Sequence, residues 1–333
     1  STAIARCDNS GLPCTVISAI QLNSTTQIAG VVALNRLWIV GGGTTPFSID
    51  RDYAVQFINT MPRGTQIRTF RNRLLVIGVG GNESQLFMSG RLDGEDWALG
   101  GQSTSPVTIS VGGVNDIESL IALMGIVNDV YILGKLDRLY ALYGFSQDDF
   151  EVRLLRENIG CVSEGTVATT NQGSLIFLAR DGIYEFGNGL NKISQNINHL
   201  AQSIGASAVN SKEGLTIRKF ASTYYQDNYW LAYTTFGVTS YVGNSNLIVY
   251  EGFGTWTQFS GIYASDFVRY GDAFLSRENL YYGNSNGDGR IYYYGCVGFD
   301  SCDGDTLIDN IDAYIQTENL DFGDSSKIKI FES

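Results

Sequence analysis

The chain has 333 residues, 44% of them hydrophobic, with 34 acidic and 22 basic side chains and a formal net charge of −12. That is enough apolar material for a large core, which excludes a disordered chain. The surplus of acids argues against a DNA-gripping role, which needs a basic stripe.

Thirty-nine glycines, nineteen tyrosines and seventeen phenylalanines beside only four prolines suit many short strands joined by tight turns. No apolar run reaches the roughly 18 residues that span a bilayer, since "LIALMGIVNDVYILG" is broken by Asn128 and Asp129. No stable membrane insertion is therefore expected. The N-terminus lacks the basic, apolar, small-residue order of a signal peptide, and both Ser1 in place of Met and the closing "KIKIFES" suggest a piece of something longer.

In chain order, residues 1–28 form an N-terminal segment in which Thr15 to Ile20, "TVISAI", reads as a strand. A phrase then recurs: "NRLWIVGGG" from Asn35, "NRLLVIGVGG" from Asn72, "NDVYILG" from Asn128, "SLIFLA" from Ser174, "NYWLAYTT" from Asn228 and "ENLYYGN" from Glu278. Partner phrases follow four of them, "SQLFMSG", "RLYALYG", "NLIVYEG" and "RIYYYG". The fullest copy, "SLIFLARDGIYEFGNG", joins an arm with no polar face to a half-polar arm through Asp181-Gly182, a strong hairpin signal. Starts at 35, 72, 128, 173, 228 and 278 are spaced by 37 to 56 residues, the size of a four-stranded propeller blade.

The spacing predicts an all-β fold, a β-propeller of about six four-stranded blades over residues 29–295. Strands covered on both faces by neighbouring blades read as unbroken apolar runs, whereas outermost strands alternate. The third unit is expected to hold Val107 to Val111, Ser119 to Met124, Asp129 to Gly134 and Arg138 to Tyr143. The fourth adds Glu151 to Arg156 and Gly165 to Thr170 ahead of its hairpin. A β-sandwich would also show closely spaced strands, but not a hairpin repeated in fixed order. The one predicted helix, Ser194 to Ser203, places Ile197, Leu200 and Ala201 on one face behind a Ser cap, between units four and five. "TVISAI" could close the ring by completing the sixth blade.

Chemistry is harder to find. The single histidine, His199, lies in that helix, so a His-based triad or multi-His metal site has little to build on. "SGRLDGEDW" (Ser89 to Trp97) has the flavour of a sialidase Asp-box, but Asp93 and Gly94 are adjacent, and a turn carrying a packing Trp97 is the better reading. "NSNGDGRI" (Asn284 to Ile291) begins like a calcium loop, yet the position for the bidentate Glu is Gly295. "VGGG" and "VGVGG" open no helix and read as blade turns. Cys7/Cys14 and Cys296/Cys302 could close disulfides on oxidation or remain reduced, and Cys161 stands alone. No catalytic, cofactor or metal residue is assigned. From Ile291 to Ser326 eight acids occur with no Lys or Arg: Asp300, Asp303, Asp305, Asp309, Asp312, Glu318, Asp321 and Asp324.

Four stretches resemble the β-propeller region of short-tailed bacteriophage tail nozzle or hub proteins: Arg71 to Trp97, Asn128 to Gly144, Ile159 to Ser194 with its "GCVS" approach to "RDGIY", and Glu318 to Phe331. The resemblance implies a non-enzymatic structural virion protein without cofactors. It implies a homo-oligomeric ring, a hexamer by family analogy, at the end of a short tail, assembled in the host cytoplasm with adaptor and fibre proteins. DNA would pass through it without specific binding. Residues 296–333 would then be an acidic return segment, the start of a further β element of the tube, its carboxylates facing the channel or seating a neighbouring subunit. The alternatives are a carbohydrate-binding or glycan-cleaving propeller that recognises a host surface, and a kelch-type adaptor prompted by "LIVYEGFGTWTQF" (Leu247 to Phe259).

Overall fold

A computed structural model describes residues 4–6, 15–18, 28–113, 115–210, 220–233, 246–260, 262–272, 277–284 and 291–294. It is an all-β propeller with one short helix. A two-stranded hairpin, β1 (Ile4–Arg6) with β2 (Thr15–Ser18), comes first, so part of the expected "TVISAI" strand is present and pairs with β1.

Five four-stranded antiparallel sheets follow, each built from consecutive strands. The first holds β3 (Ile28–Ala33), β4 (Arg36–Gly41), β5 (Phe47–Ile49) and β6 (Val55–Phe57). The second holds β7 (Gln66–Phe70), β8 (Arg73–Ile77), β9 (Gln85–Met88) and β10 (Val107–Ser110), and the third β11 (Ala122–Val127), β12 (Val130–Gly134), β13 (Arg138–Tyr143) and β14 (Glu151–Glu157). The fourth holds β15 (Ala168–Thr169), β16 (Leu175–Ala179), β17 (Gly182–Phe186) and β18 (Leu190–Lys192), and the fifth β19 (Ala221–Tyr225), β20 (Asn228–Tyr233), β21 (Asn246–Tyr250) and β22 (Trp256–Ser260). A sixth sheet has three strands among the described residues, β23 (Ala264–Asp272), β24 (Arg277–Asn284) and β25 (Ile291–Tyr294). Five blades are therefore four-stranded, where six were expected.

Each of the six repeated apolar phrases forms the second strand of its sheet, and β8 and β16 are buried along their whole length. Fourth strands are mostly less buried: β6, β10, β14 and β18 bury no residue fully, whereas β22 buries Trp256 and Thr257. The chain divides into two compact units, residues 1–125 with 129–160, and 126–128 with 161–333. Within the first unit β3 and β4 meet β7, and within the second β15 meets β19 and β19 meets β23, so first strands of successive blades face one another.

Two blade assignments differ from the expectation. Val107–Ser110 pairs with β9 and closes the second blade, and Glu151–Glu157 pairs with β13 and closes the third. Apolar pattern alone allows such a strand to join either neighbour. The decision lies in the loops: Asp149 Oδ1 accepts hydrogen bonds from the amides of Phe145 and Ser146 and from the Ser146 hydroxyl, folding the chain back on β13.

Four blades open with a two-residue hairpin in which both residues have positive φ: Leu34-Asn35, Arg71-Asn72, Asn128-Asp129 and Gln226-Asp227. This is the type I′ arrangement, whose twist matches that of the strands, and it explains why Asn and Asp precede the repeated phrase. In the fourth blade Ala179 pairs with Gly182, so the β16–β17 loop is Arg180-Asp181, one position earlier than the sequence suggested.

The helix begins with a 3₁₀ turn at Gln195–Ile197 and continues as α1 (Asn198–Asn210) between β18 and β19. Ala201 and Ile204 are buried. A Cβ on Gly205 would lie 2.6 Å from the Ala179 carbonyl oxygen, so glycine permits α1 to sit against the β16–β17 corner. Ser194 does not cap the helix. Its hydroxyl accepts the Ile183 amide at 2.9 Å, which ties the helix start to β17.

Candidate functional site

Within the first unit, charged side chains gather where the connection from β10 to β11 meets the β12–β13 turn. Lys135, which follows β12, is fully buried and its Nζ lies 3.1 Å from Asp116 Oδ1. Arg138, the first residue of β13, places Nη1 3.0 Å from Asp116 Oδ2 and donates through Nε to Glu118 Oε2 at 3.0 Å. The Tyr140 ring lies beneath both cations, 5.7 Å from Lys135 Nζ and 6.0 Å from Arg138 Cζ.

Two acids and two bases balance, so the cluster carries no net charge to offer a ligand. Burial acts to raise the Asp116 carboxyl, but the Glu118 amide and the two cations outweigh it and hold the group below the usual carboxylate range. Burial pushes the Tyr140 hydroxyl up. Both groups are fixed in the forms they hold at neutral pH. Gly112, at φ +92°, lies against the Asp116 carboxylate and the Tyr140 hydroxyl, where a side chain would intrude.

A second buried cation, Arg73, begins β8. Its guanidinium donates to the carbonyls of Ser89 at 2.7 Å, Ser105 at 2.7 Å and Ser103 at 2.9 Å, pinning both ends of the β9–β10 loop. Within that loop Asp93 Oδ1 accepts the Glu95 amide, and Trp97 packs on the core formed by Trp38, Leu74 and Val76. "SGRLDGEDW" is thus a turn carrying a packing tryptophan. Glu95 of this turn pairs with Arg36 of β4 at 2.7 Å.

In the second unit the stretch from Cys161 to Thr166 braces the fourth blade. The Val162 amide donates to the Leu178 carbonyl, the buried Cys161 thiol to the Ser163 carbonyl, and the Thr166 hydroxyl to the same carbonyl at 2.7 Å while accepting the Leu178 amide. Tyr229 of β20 then donates to the Thr166 carbonyl. At the β16–β17 corner, Tyr184 Oη donates to Asp181 Oδ2 at 2.7 Å, and Lys192 reaches the Asp181 carbonyl and carboxylate. "GCVS" and "RDGIY", two phrases that carry the family resemblance, are therefore held in structural hydrogen bonds.

The eight candidate acids, Asp300, Asp303, Asp305, Asp309, Asp312, Glu318, Asp321 and Asp324, lie outside the described residues. So do Cys7, Cys14, Cys296, Cys302 and most of "NSNGDGRI". His199 is exposed on α1. Sequence reasoning missed the Asp116, Glu118, Lys135 and Arg138 cluster. Its members are spread over twenty-three positions, and only the β12–β13 turn brings the basic pair to the acidic one.

No family model matches the chain, and no curated protein matches it in sequence. Among solved structures it is similar to a streptogramin B lyase, with a TM-score of 0.51 and 8% identity over 83% of this chain and 84% of that one. It is also similar to an inactive variant of virginiamycin B lyase from Staphylococcus aureus with quinupristin, with a TM-score of 0.47 and 9% identity over 90% and 94%. A computationally designed protein, Ika8, gives a TM-score of 0.47 at 11% identity over 82% and 73%. At such identities the first likeness speaks to the propeller fold alone.

Proposed function

We propose that this chain is a non-enzymatic structural protein of a bacteriophage virion, the propeller of a short-tail nozzle that assembles with its copies into a ring through which DNA leaves. The observation that carries the reading is the use made of the resemblance phrases: Cys161, Ser163, Thr166, Asp181 and Tyr184 are committed to hydrogen bonds within the fourth blade and its entry, and the Thr166 carbonyl also takes the Tyr229 hydroxyl of the fifth. The buried charges likewise brace loops rather than face a substrate. The likeness to a lyase is one of fold, and fold does not carry chemistry. The acids from Asp300 to Asp324 would line the channel or seat a neighbour, and about six blades would complete the ring.

Light scattering on the purified chain, with a glycan array in parallel, tests this reading. A large symmetric oligomer that binds no glycan is expected. A monomer that captures glycans would replace it with the carbohydrate-binding reading, for which the exposed Phe145 ring under Arg71 offers an aromatic surface. Charge reversal across the acids from Asp300 to Asp324 that left assembly and DNA ejection unchanged would discard both roles assigned to them.

A further inference from the structure

The hairpin from β17 to β18 closes through a three-residue loop, Gly187-Asn188-Gly189, set between the paired residues Phe186 and Leu190. Asn188 is exposed at its tip. The Gly187 amide donates to the Gly189 carbonyl at 3.0 Å, and Gly187 lies so close to Ser174 that a Cβ would strike the Ser174 hydroxyl, so the first half of the loop is held. The second half is open. A Cβ on Gly189 would meet nothing within 4 Å, and among the described residues neither the Gly189 amide nor the Asn188 side chain takes part in a hydrogen bond.

An asparagine followed by glycine has a chemistry of its own. The side-chain carbon Cγ and the next main-chain nitrogen are spaced to close a five-membered ring, and glycine alone offers that nitrogen with no side chain in the way. Exposed loop tips are also where the chain yields most easily to such a change.

Two other pairs of this kind, an Asp before a Gly, fall among the described residues, and both are locked. Asp93 Oδ1 accepts the amides of Glu95 and Asp96, while Gly94 is walled in by Trp38 and Leu74. Asp181 Oδ2 accepts from the Tyr184 hydroxyl and from Lys192, and a Cβ on Gly182 would strike Lys192 and Ser194. Each also presents a carboxylate, which draws a nucleophile less than the neutral amide of Asn188 does.

We propose that Asn188 is a site of spontaneous covalent modification, at which the Gly189 nitrogen attacks Asn188 Cγ and expels the side-chain nitrogen. One C–N bond forms and one breaks, the Gly189 amide proton leaves with the departing group as ammonia, and nothing is oxidised or reduced. Water then opens the cyclic imide. Cleavage at Cγ gives aspartate, whereas cleavage at the original main-chain carbonyl gives isoaspartate, with one more main-chain atom in the loop. Either product adds a negative charge beside β18. The inference stands on this loop alone and does not rest on the nozzle reading.

The test incubates the purified full chain in warm, mildly alkaline buffer, digests it in mild acid so that digestion adds no conversion, and follows each peptide by mass spectrometry. Asn188 should exchange its amide nitrogen for oxygen about tenfold faster, or more, than Asn72, whose successor is Arg73 rather than glycine. Isoaspartate should appear at position 188 and not at Asp93 or Asp181. The peptide with Asn286-Gly287, which lies outside the described residues, is read separately. G189A should slow the conversion about tenfold while leaving the circular dichroism spectrum unchanged, since the loop has room for the methyl group. Conversion at Asn188 no faster than at Asn72, or as fast in G189A as in the unaltered chain, would overturn the inference. Should G189A fail to fold, the comparison of Asn188 with Asn72 in the unaltered chain decides.

Discussion

Tyr229 Oη donates a 2.6 Å hydrogen bond to the carbonyl of Thr166, a residue 63 positions earlier, and so fastens the second strand of the fifth blade to the entry of the fourth. Gln66 does the same inside the first unit, giving its amide hydrogen to the Ile121 carbonyl and accepting the Leu123 amide. Propeller blades are joined by apolar faces, which are non-directional; buried polar clasps of this kind fix one arrangement of the faces.

Replacing Tyr229 by Phe removes the donor but keeps the ring. The Thr166 carbonyl would be left without it in a buried place, and urea unfolding should show a loss of about 1–2 kcal/mol. An unchanged midpoint would remove the clasp from the account of how these blades are held.

Alkali should act on the same region. Burial pushes the Tyr229 hydroxyl far above its ordinary value and that of Tyr233 up to about 12, while Tyr184 is raised by burial and then by Asp181. A group raised in the fold stabilises it fully below its unfolded pKa, about 10 for tyrosine, and that contribution is lost as pH rises through the folded value. The melting temperature should therefore fall between about pH 10 and 12, less steeply in Y229F. A flat profile across that window would contradict the assignment.

In the ion cluster, D116N should leave the buried Lys135 charge without its counter-charge. The cost should be about 3 kcal/mol, the lower end for a broken buried pair because Arg138 and Glu118 are partly exposed. K135M/D116N should recover part of that loss. Acid should weaken the unaltered protein by the same route: a carboxyl held low in the fold contributes above its unfolded pKa, about 3.9, and ceases to contribute as pH drops through the folded value. Urea titrations from pH 7 to pH 2 on both variants check this, and D116N should lack part of the acid limb.

Gly94 sits where a Cβ would come within 2.5 Å of Trp38 Cζ2 and 2.8 Å of Leu74 Cδ1. G94A should overpack that corner and destabilise by about 1–3 kcal/mol. A neutral result by thermal melting would mean that the "SGRLDGEDW" turn yields easily, against its reading as a packing element.

The all-β repeat was legible because it depends on short-range patterns. Runs such as Leu74 to Ile77 and Leu175 to Ala179 are greasy on both faces, and a pair such as Arg71-Asn72 or Asn128-Asp129 ahead of a repeated phrase requires only two residues to state a turn. Blade boundaries were not legible, since Val107–Ser110 and Glu151–Glu157 present patterns that suit either neighbour; Arg73 pins the loop that returns the first to β9, and Asp149 turns the chain back for the second. The Ser194 cap failed for a related reason: its hydroxyl had a long-range competitor in the Ile183 amide. Lys135 illustrates the limit most plainly. Nothing in "LGKLDRLY" marks one lysine as wholly enclosed, because the Asp116 that makes enclosure tolerable arrives from the preceding connection.

Every sheet from β3 to β22 is a simple meander in which each strand hydrogen-bonds to the one just before it. No strand must wait for a distant part of the sequence to be made before its own sheet can zip, so each blade can form as it emerges from the ribosome. The same topology makes a blade a removable cassette, and duplication or loss of one whole meander is the change in this lineage that would disturb the fewest main-chain ladders.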